Sequence, residues 1–158
     1  MKIGIIGAGH IGGTLTRRLT ELGHQVSVAN SRGPESLGTL VSETGATAVP
    51  VDEAARDAEL VVLTIPLKNV LDLPTGLLRE ARRGAVVIDT SNYYPRQRDG
   101  MIEEIEAGMT ESRWVEQQLG HPVVKAFNNI YADHLLRRGR PPGTPRRIAL
   151  PVAADDDR

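Results

Sequence analysis

The amino-acid sequence predicts an α/β domain built on a doubly wound parallel sheet, and three observations carry that prediction. Short β-branched runs alternate with helical stretches, the runs are apolar almost without interruption, and a glycine-rich turn joins the first run to the first helix. Such alternation belongs to βαβ units, whose crossover helices cover both faces of the sheet and leave the strands no polar face.

The runs are residues 2–6, 25–29, 60–65, 85–89, 123–127 and 147–152. Between the first two, Ile11, Leu15, Leu19 and Leu22 recur at spacings of four, four and three, one face of a helix that Gly23 should stop. A second helix is expected after residues 31–34, carrying Leu37, Leu40 and Val41 inward as far as Gly45, with a short third strand over 46–49. Residues 97–118 read as helical but broken around Gly108 and Thr110, and residues 139–145, GRPPGTP, as a loop before the last run. No internal repeat or linker divides the chain, so residues 1–158 are expected to form a single domain.

Composition narrows the function classes. The chain has 158 residues, 40% of them apolar, with 19 basic and 20 acidic side chains, a net charge of −1 and no cysteine. Without cysteine there are no disulfides, thiolate metal sites or catalytic thiols. Near-neutrality argues against a protein that coats nucleic acid or anionic lipid, and an aromatic content of 3% leaves little for base stacking. No run of 18 apolar residues is present, and the N-terminus passes directly into a strand pattern, so a cytoplasmic location away from membranes is expected.

Gly7-Ala8-Gly9-His10-Ile11-Gly12 fits G-x-G-x-x-G between a strand and an amphipathic helix, the setting that gives the motif its meaning. Gly7 permits the tight turn, Gly9 lets backbone approach a pyrophosphate, and Gly12 lets helix and strand pack closely, which marks a dinucleotide-binding Rossmann fold. The helix N-terminus then faces the diphosphate. His10, in the first turn, is read as a turn residue beside the cofactor.

The end of the second run selects the dinucleotide. A carboxylate for the ribose 2′-hydroxyl is expected about 20 residues on in an NAD enzyme, but the chain here reads Asn30-Ser31-Arg32. With no carboxylate to repel a 2′-phosphate and a guanidinium able to pair with it, NADP(H) is favoured over NAD(H). Ligands in open α/β sheets gather beyond the carboxyl ends of the strands. Thr64, Ile65, Pro66 and Leu67 are therefore expected along the ribose on the nicotinamide side, with Asn92 and Asn128 hydrogen-bonding the carboxamide or a second substrate. Alternatively, Pro66 only ends a strand and the asparagines only cap helices.

Other residues carry less. His24, His121 and His134 have no ligand spacing, so no metal site is expected. Lys125 interrupts an apolar run and is expected to snorkel out at the sheet edge. Arg137, Arg138, Arg140, Arg146 and Arg147 crowd the proline-rich loop and read as a solvated surface. There is no Ser/Lys/Tyr or His/carboxylate constellation, so no catalytic side chain is assigned, and a ring acceptor that spreads the arriving charge over its own atoms suits the chain best.

Together, IGIIGAGHIGGTL, NSRGPESL, VVLTIPLK, VVIDTSNYYPRQRDG, VVKAFNNIYADHL and RIALPVA resemble the NADPH-dependent coenzyme F420 reductase family, whose NADP-binding domain is similar to the cytosolic domain of membrane metalloreductases. The resemblance implies that NADPH delivers hydride to a deazaflavin, coenzyme F420, or to a flavin, a small-molecule hydride acceptor. It also implies that Ser31 and Arg32 hold the 2′-phosphate, that Gly7 to Gly12 hold the pyrophosphate, and that the protein is a homodimer. NYYPRQRDG and NNIYADHL are similar to a bacterial branch. The family's C-terminal helix and strand are not matched, and the chain finishes on Asp155-Asp156-Asp157-Arg158 just after an expected strand, so a shortened C-terminus is expected. Two other readings stay open: an NADP-binding sensor without turnover, and a reductase of a small carbonyl or imine compound, for which Lys68, Tyr93 and Tyr94 are the candidate proton donors.

Overall fold

The computed structural model describes residues 1–155. Six parallel strands form one sheet in the order β3-β2-β1-β4-β5-β6. They are β1 (Lys2–Ile6), β2 (Gln25–Ala29), β3 (Thr47–Ala48), β4 (Leu60–Leu63), β5 (Val86–Asp89) and β6 (Val124–Lys125). The doubly wound parallel sheet predicted from the apolar runs is therefore present. The order reverses at β1, whose neighbours are β2 and β4, and ligands of open α/β sheets collect at this switch point.

Two apolar layers explain why the runs are nearly free of polar residues. Ile3, Ile5, Val26, Val28 and Val62 pack with Leu15, Leu37 and Leu40 on one face, and Ile6, Val61, Leu63 and Val87 pack with Leu67, Trp114 and Val115 on the other. Residues alternate between faces, so β1, β2, β4 and β5 each feed both layers. Ile5, Val28 and Leu63 are wholly enclosed, each contributing about 1.5–3 kcal/mol of burial.

The first helix, α1 (His10–Glu21), buries Leu15 but ends one residue before Leu22. Leu22 is 66% exposed, because it caps the helix instead of continuing its buried face. A 3-10 turn (Pro34–Leu37) leads into α2 (Gly38–Thr44), which Gly45 ends in the left-handed conformation at φ 73°. The expected break near Gly108 separates α3 (Glu103–Glu106) from α4 (Glu111–Leu119). The Thr110 hydroxyl caps α4 by accepting from the Arg113 N–H at 3.3 Å. A short α5 (Ala132–Arg137) lies against α1.

Two expectations need correction. Residues 147–152 do not form a strand. Only Ala153 meets β6, in an antiparallel bridge to Lys125 with N–O distances of 2.8 and 3.0 Å. Pro151 lacks the N–H that a ladder needs, and Arg146 holds φ at 60°, out of extended geometry. The β4 to β5 connection likewise carries 3-10 turns (Leu67–Asp72 and Leu77–Glu80) separated by Pro74 and Gly76 instead of a full helix. Of the acidic tail, residues 156–158 lie outside the described residues.

Candidate functional site

The register sets Ile6 between Ala29 and Leu63, with Asp89 beside Leu63 and Lys125 beside Asp89. The residues that follow each strand therefore meet along one edge of the sheet.

Gly7 turns the chain at φ 103°, a region that a side chain rarely enters. A Cβ there would also stand 2.5 Å from the Thr64 carbonyl oxygen, and one at Gly12 would collide with the Gly7 carbonyl oxygen. Gly9 differs, since a Cβ on it would meet nothing within 4 Å. Protein therefore closes over Gly7 and Gly12 and leaves space at Gly9. Ala8, Gly9 and His10 line a cavity of about 530 Å³ with Arg32 and Ser36, and α5 closes its far side through Ala132, Asp133 and Leu136. Two comparable hollows, about 590 Å³ beside the Leu67–Asp72 and Leu77–Glu80 turns and about 520 Å³ under the start of β1 and β2, border neither the glycine turn nor the carboxyl ends of β1, β2, β4, β5 and β6. Ile11 points into the apolar layer with Ala8 and Phe127.

Asn30 shapes the turn after β2. Its Oδ1 accepts from the Arg32 N–H at 2.9 Å and its Nδ2 donates to Ser36 Oγ at 2.8 Å. Ser31 and Arg32 are exposed. Among the described residues Arg32 makes no ion pair.

The residues after β4 divide by role. Thr64 Oγ1 donates to the Gly7 carbonyl oxygen at 2.6 Å and so clamps the turn. Ile65 and Pro66 are half-buried at the strand end, whereas Leu67 is 0% exposed and belongs to the core. Asn92 and Asn128 lie away from the 530 Å³ cavity and bind each other's segments. Asn92 Nδ2 donates to the Asn128 carbonyl oxygen at 2.8 Å, and Asn128 Nδ2 to Asn92 Oδ1 at 3.4 Å.

Phe127, just before Asn128, takes φ 62°, an outlier for a bulky residue that costs about 1–3 kcal/mol in backbone strain. It packs in the same apolar layer as Ala8 and Ile11, so the strained residue braces the wall beneath the glycine turn.

Lys125 does not snorkel outward. Its Nζ donates to Asp89 Oδ2 at 2.8 Å and lies 3.2 Å from Glu111 Oε2, with the lysine side chain 12% and the aspartate 1% exposed. Register sets Lys125 against Asp89, and helix α4 brings Glu111 over both. A lysine inside an apolar run is the one sequence signal for this site, and it names no partner.

A second buried carboxylate also escaped the sequence reading. Asp99 accepts from the Tyr94 N–H at 2.7 Å, the Lys68 N–H at 3.4 Å and the Arg98 Nε at 2.9 Å. Burial pushes its pKa up, but Arg98 and the two backbone donors outweigh that and hold it below the ordinary carboxylate value. Tyr93 is spoken for as well: its hydroxyl donates to Glu106 Oε1 at 2.9 Å and accepts from the Ile102 N–H at 2.8 Å. Burial raises its pKa, Ile102 pulls it back and Glu106 adds to the rise. Among the described residues no three His, Asp or Glu side chains gather in a way that would hold a metal ion.

Sheet order, glycine turn and the helix behind it define a Rossmann-type domain of the doubly wound class. The chain belongs to the family described as NADP oxidoreductase, coenzyme F420-dependent, whose model matches residues 2–93, more than half of the sequence. It is 31% identical over 152 residues to the F420-dependent NADP reductase of Methanothermobacter marburgensis, covering 86% of this chain and 66% of that one. It is also 31% identical over 109 residues to the 3-sulfolactaldehyde reductase of Escherichia coli, covering 66% of this chain and 36% of that enzyme. The chain thus spans about a third of the latter's length. Among solved structures, a hypothetical protein of Sinorhizobium meliloti, SMa0349, superposes with a TM-score of 0.72 at 32% identity over 86% of this chain and 65% of that one. A candidate F420 dependent NADP-reductase of Arthrobacter sp. FB24 gives 0.79 at 22% identity over 99% of this chain and 74% of that one, which is a likeness of fold. No helix among the described residues is long and apolar enough to cross a membrane.

Proposed function

We propose that the chain binds NADP(H) along the carboxyl edge of the sheet and moves a hydride between it and a ring acceptor, coenzyme F420 or a flavin-type molecule. The observation that carries this reading is Arg32, which borders the cavity at Gly9 and has no carboxylate partner among the described residues. The open space at Gly9 suits a pyrophosphate, and the uncapped start of α1 offers it N–H donors. Bound NADPH supplies the hydride from C4 of its nicotinamide.

The protein's own work is to bind and orient. Gly7, Ala8, Gly9, His10, Ile11 and Gly12 form the pyrophosphate turn. Arg32 and Ser31 hold the 2′-phosphate, and Asn30 fixes the loop that presents them. Thr64, Ile65 and Pro66 line the nicotinamide side with the backbone of Leu67. Asn92 and Asn128 join the ends of β5 and β6 beneath the acceptor. Holding the two rings near contact supplies several kcal/mol of the rate by alignment, on the order of that seen in oriented intramolecular reactions. The same proposal takes the chain as a single nucleotide-binding unit, acting in the cytoplasm as a homodimer.

A second reading, reduction of a small carbonyl compound, draws on the likeness to 3-sulfolactaldehyde reductase. It needs a proton donor, and the Tyr93 hydroxyl is committed to Glu106 and Ile102.

The test follows NADPH absorbance with deazaflavin, FMN, FAD, ferric, quinone and small carbonyl acceptors. Oxidation by a ring acceptor supports the first reading, oxidation by a carbonyl the second, and binding without oxidation marks a nucleotide sensor. Arg32→Asp should weaken NADPH binding by roughly tenfold or more while sparing NADH. Equal losses for both nucleotides refute the role of Arg32.

A further inference from the structure

The cavity bordered by Arg32 contains a second guanidinium. Arg17, on α1, folds back toward the helix N-terminus, as long side chains on helices do. Its Nη1 donates to the Gly13 carbonyl oxygen at 3.2 Å. A Cβ on Gly13 would lie 3.3 Å from that nitrogen, so the guanidinium sits close over the first turns of the helix. Glu43, in the last turn of α2, accepts from Arg17 Nε at 3.0 Å and from Nη2. Arg17 lines the cavity with Gly9, His10 and Arg32, whereas Glu43 stands outside its lining.

We propose that Arg17 is a second anion-binding residue for the 2′-phosphate end of the nucleotide, and that Glu43 is a built-in competitor that holds it until the nucleotide arrives. The inference rests on the NADP(H) reading above. The Arg17–Glu43 pair is 40% and 47% exposed, so water screens it and little is lost when it opens. A phosphate dianion offers the same guanidinium more charge and more acceptor oxygens than one carboxylate does. Glu43 released into solvent leaves no buried charge behind. NADH carries no such dianion, so neither side chain should affect its binding.

The test measures dissociation constants for NADPH and NADH by nucleotide fluorescence, together with urea unfolding midpoints, on the whole chain. Arg17→Gln should weaken NADPH binding roughly tenfold and change NADH less than about twofold. Glu43→Gln should tighten NADPH binding about threefold, a sign that a purely structural ion pair cannot produce. If both variants lower the unfolding midpoint alike and leave the ratio of the two constants unchanged, the inference is overturned. Arg32→Asp, run alongside, separates the failures: discrimination lost there but kept in Arg17→Gln sinks this inference alone, and discrimination unchanged in both sinks the cofactor reading with it.

Discussion

The Thr64 hydroxyl donates to the Gly7 carbonyl oxygen at 2.6 Å, binding the end of β4 to the turn between β1 and α1 across 57 positions of sequence. The same oxygen lies where a side chain on Gly12 would have to go. One carbonyl therefore governs both how the turn is held and how closely α1 may approach. Thr64→Val should leave that oxygen short of a donor and cost about 1–3 kcal/mol in urea unfolding, while Thr64→Ser should stay near the parent. Equal stability of the valine and serine variants would contradict the clamp.

The glycines of the turn should separate in their effects. Gly12→Ala places a methyl against backbone that cannot yield, so the unfolding midpoint should fall sharply, with a loss of about 2 kcal/mol or more. Gly9→Ala meets no protein atom within 4 Å. It should unfold like the parent and bind NADPH more weakly, because the added methyl enters the ligand's space. Differential scanning calorimetry and a fluorescence titration on the two variants read both effects.

Lys125→Met should be among the most damaging single changes at the strand ends. It leaves the Asp89 carboxylate, 1% exposed, without its counter-charge, with Glu111 nearby. Breaking a buried pair in this way costs about 3–5 kcal/mol. Adding Asp89→Asn should restore much of the loss, and a double-mutant cycle that shows simple additivity would rule out the coupling.

Acid should find Asp99. Its pKa lies below the ordinary carboxylate value in the folded protein, so its contribution to stability is fully present above the unfolded pKa, near 3.8, and drains away as pH falls through the lower folded value. Asp99→Asn should be less stable than the parent at pH 7, and the gap should close as pH is lowered below about 4. Urea midpoints from pH 7 to pH 2.5 follow it; a gap that stays constant would exclude the linkage.

Much of the molecule is legible in the sequence alone. Lys2 to Ile6 and Gln25 to Ala29 carry enough β-branched residues to declare strands, and G-x-G-x-x-G between a strand and a helix declares the turn. Legibility failed where pairing decides. Residues 147–152 have a strand's composition, yet Pro151 and the bend at Arg146 deny them a partner. Leu22 keeps the helical spacing but falls one residue beyond the helix that would have buried it. Asn92 and Asn128 follow strands where ligands gather, and no local pattern tells that each also binds the other's segment.

Periodicity and turn chemistry act over a few residues, so the sequence by itself determined where the six strands of the sheet lie, the glycine turn and a second strand that ends on Asn30-Ser31-Arg32 with no carboxylate. Tertiary structure alone decided that Lys125 would close on Asp89, 36 residues away, that Asp99 would gather the Tyr94 and Lys68 amides, and that Arg17 would share a cavity with Arg32. A charged side chain's partner depends on which strands are neighbours, in what register, and which helix crosses above them. Those are outcomes of packing the whole chain, and no local pattern encodes them.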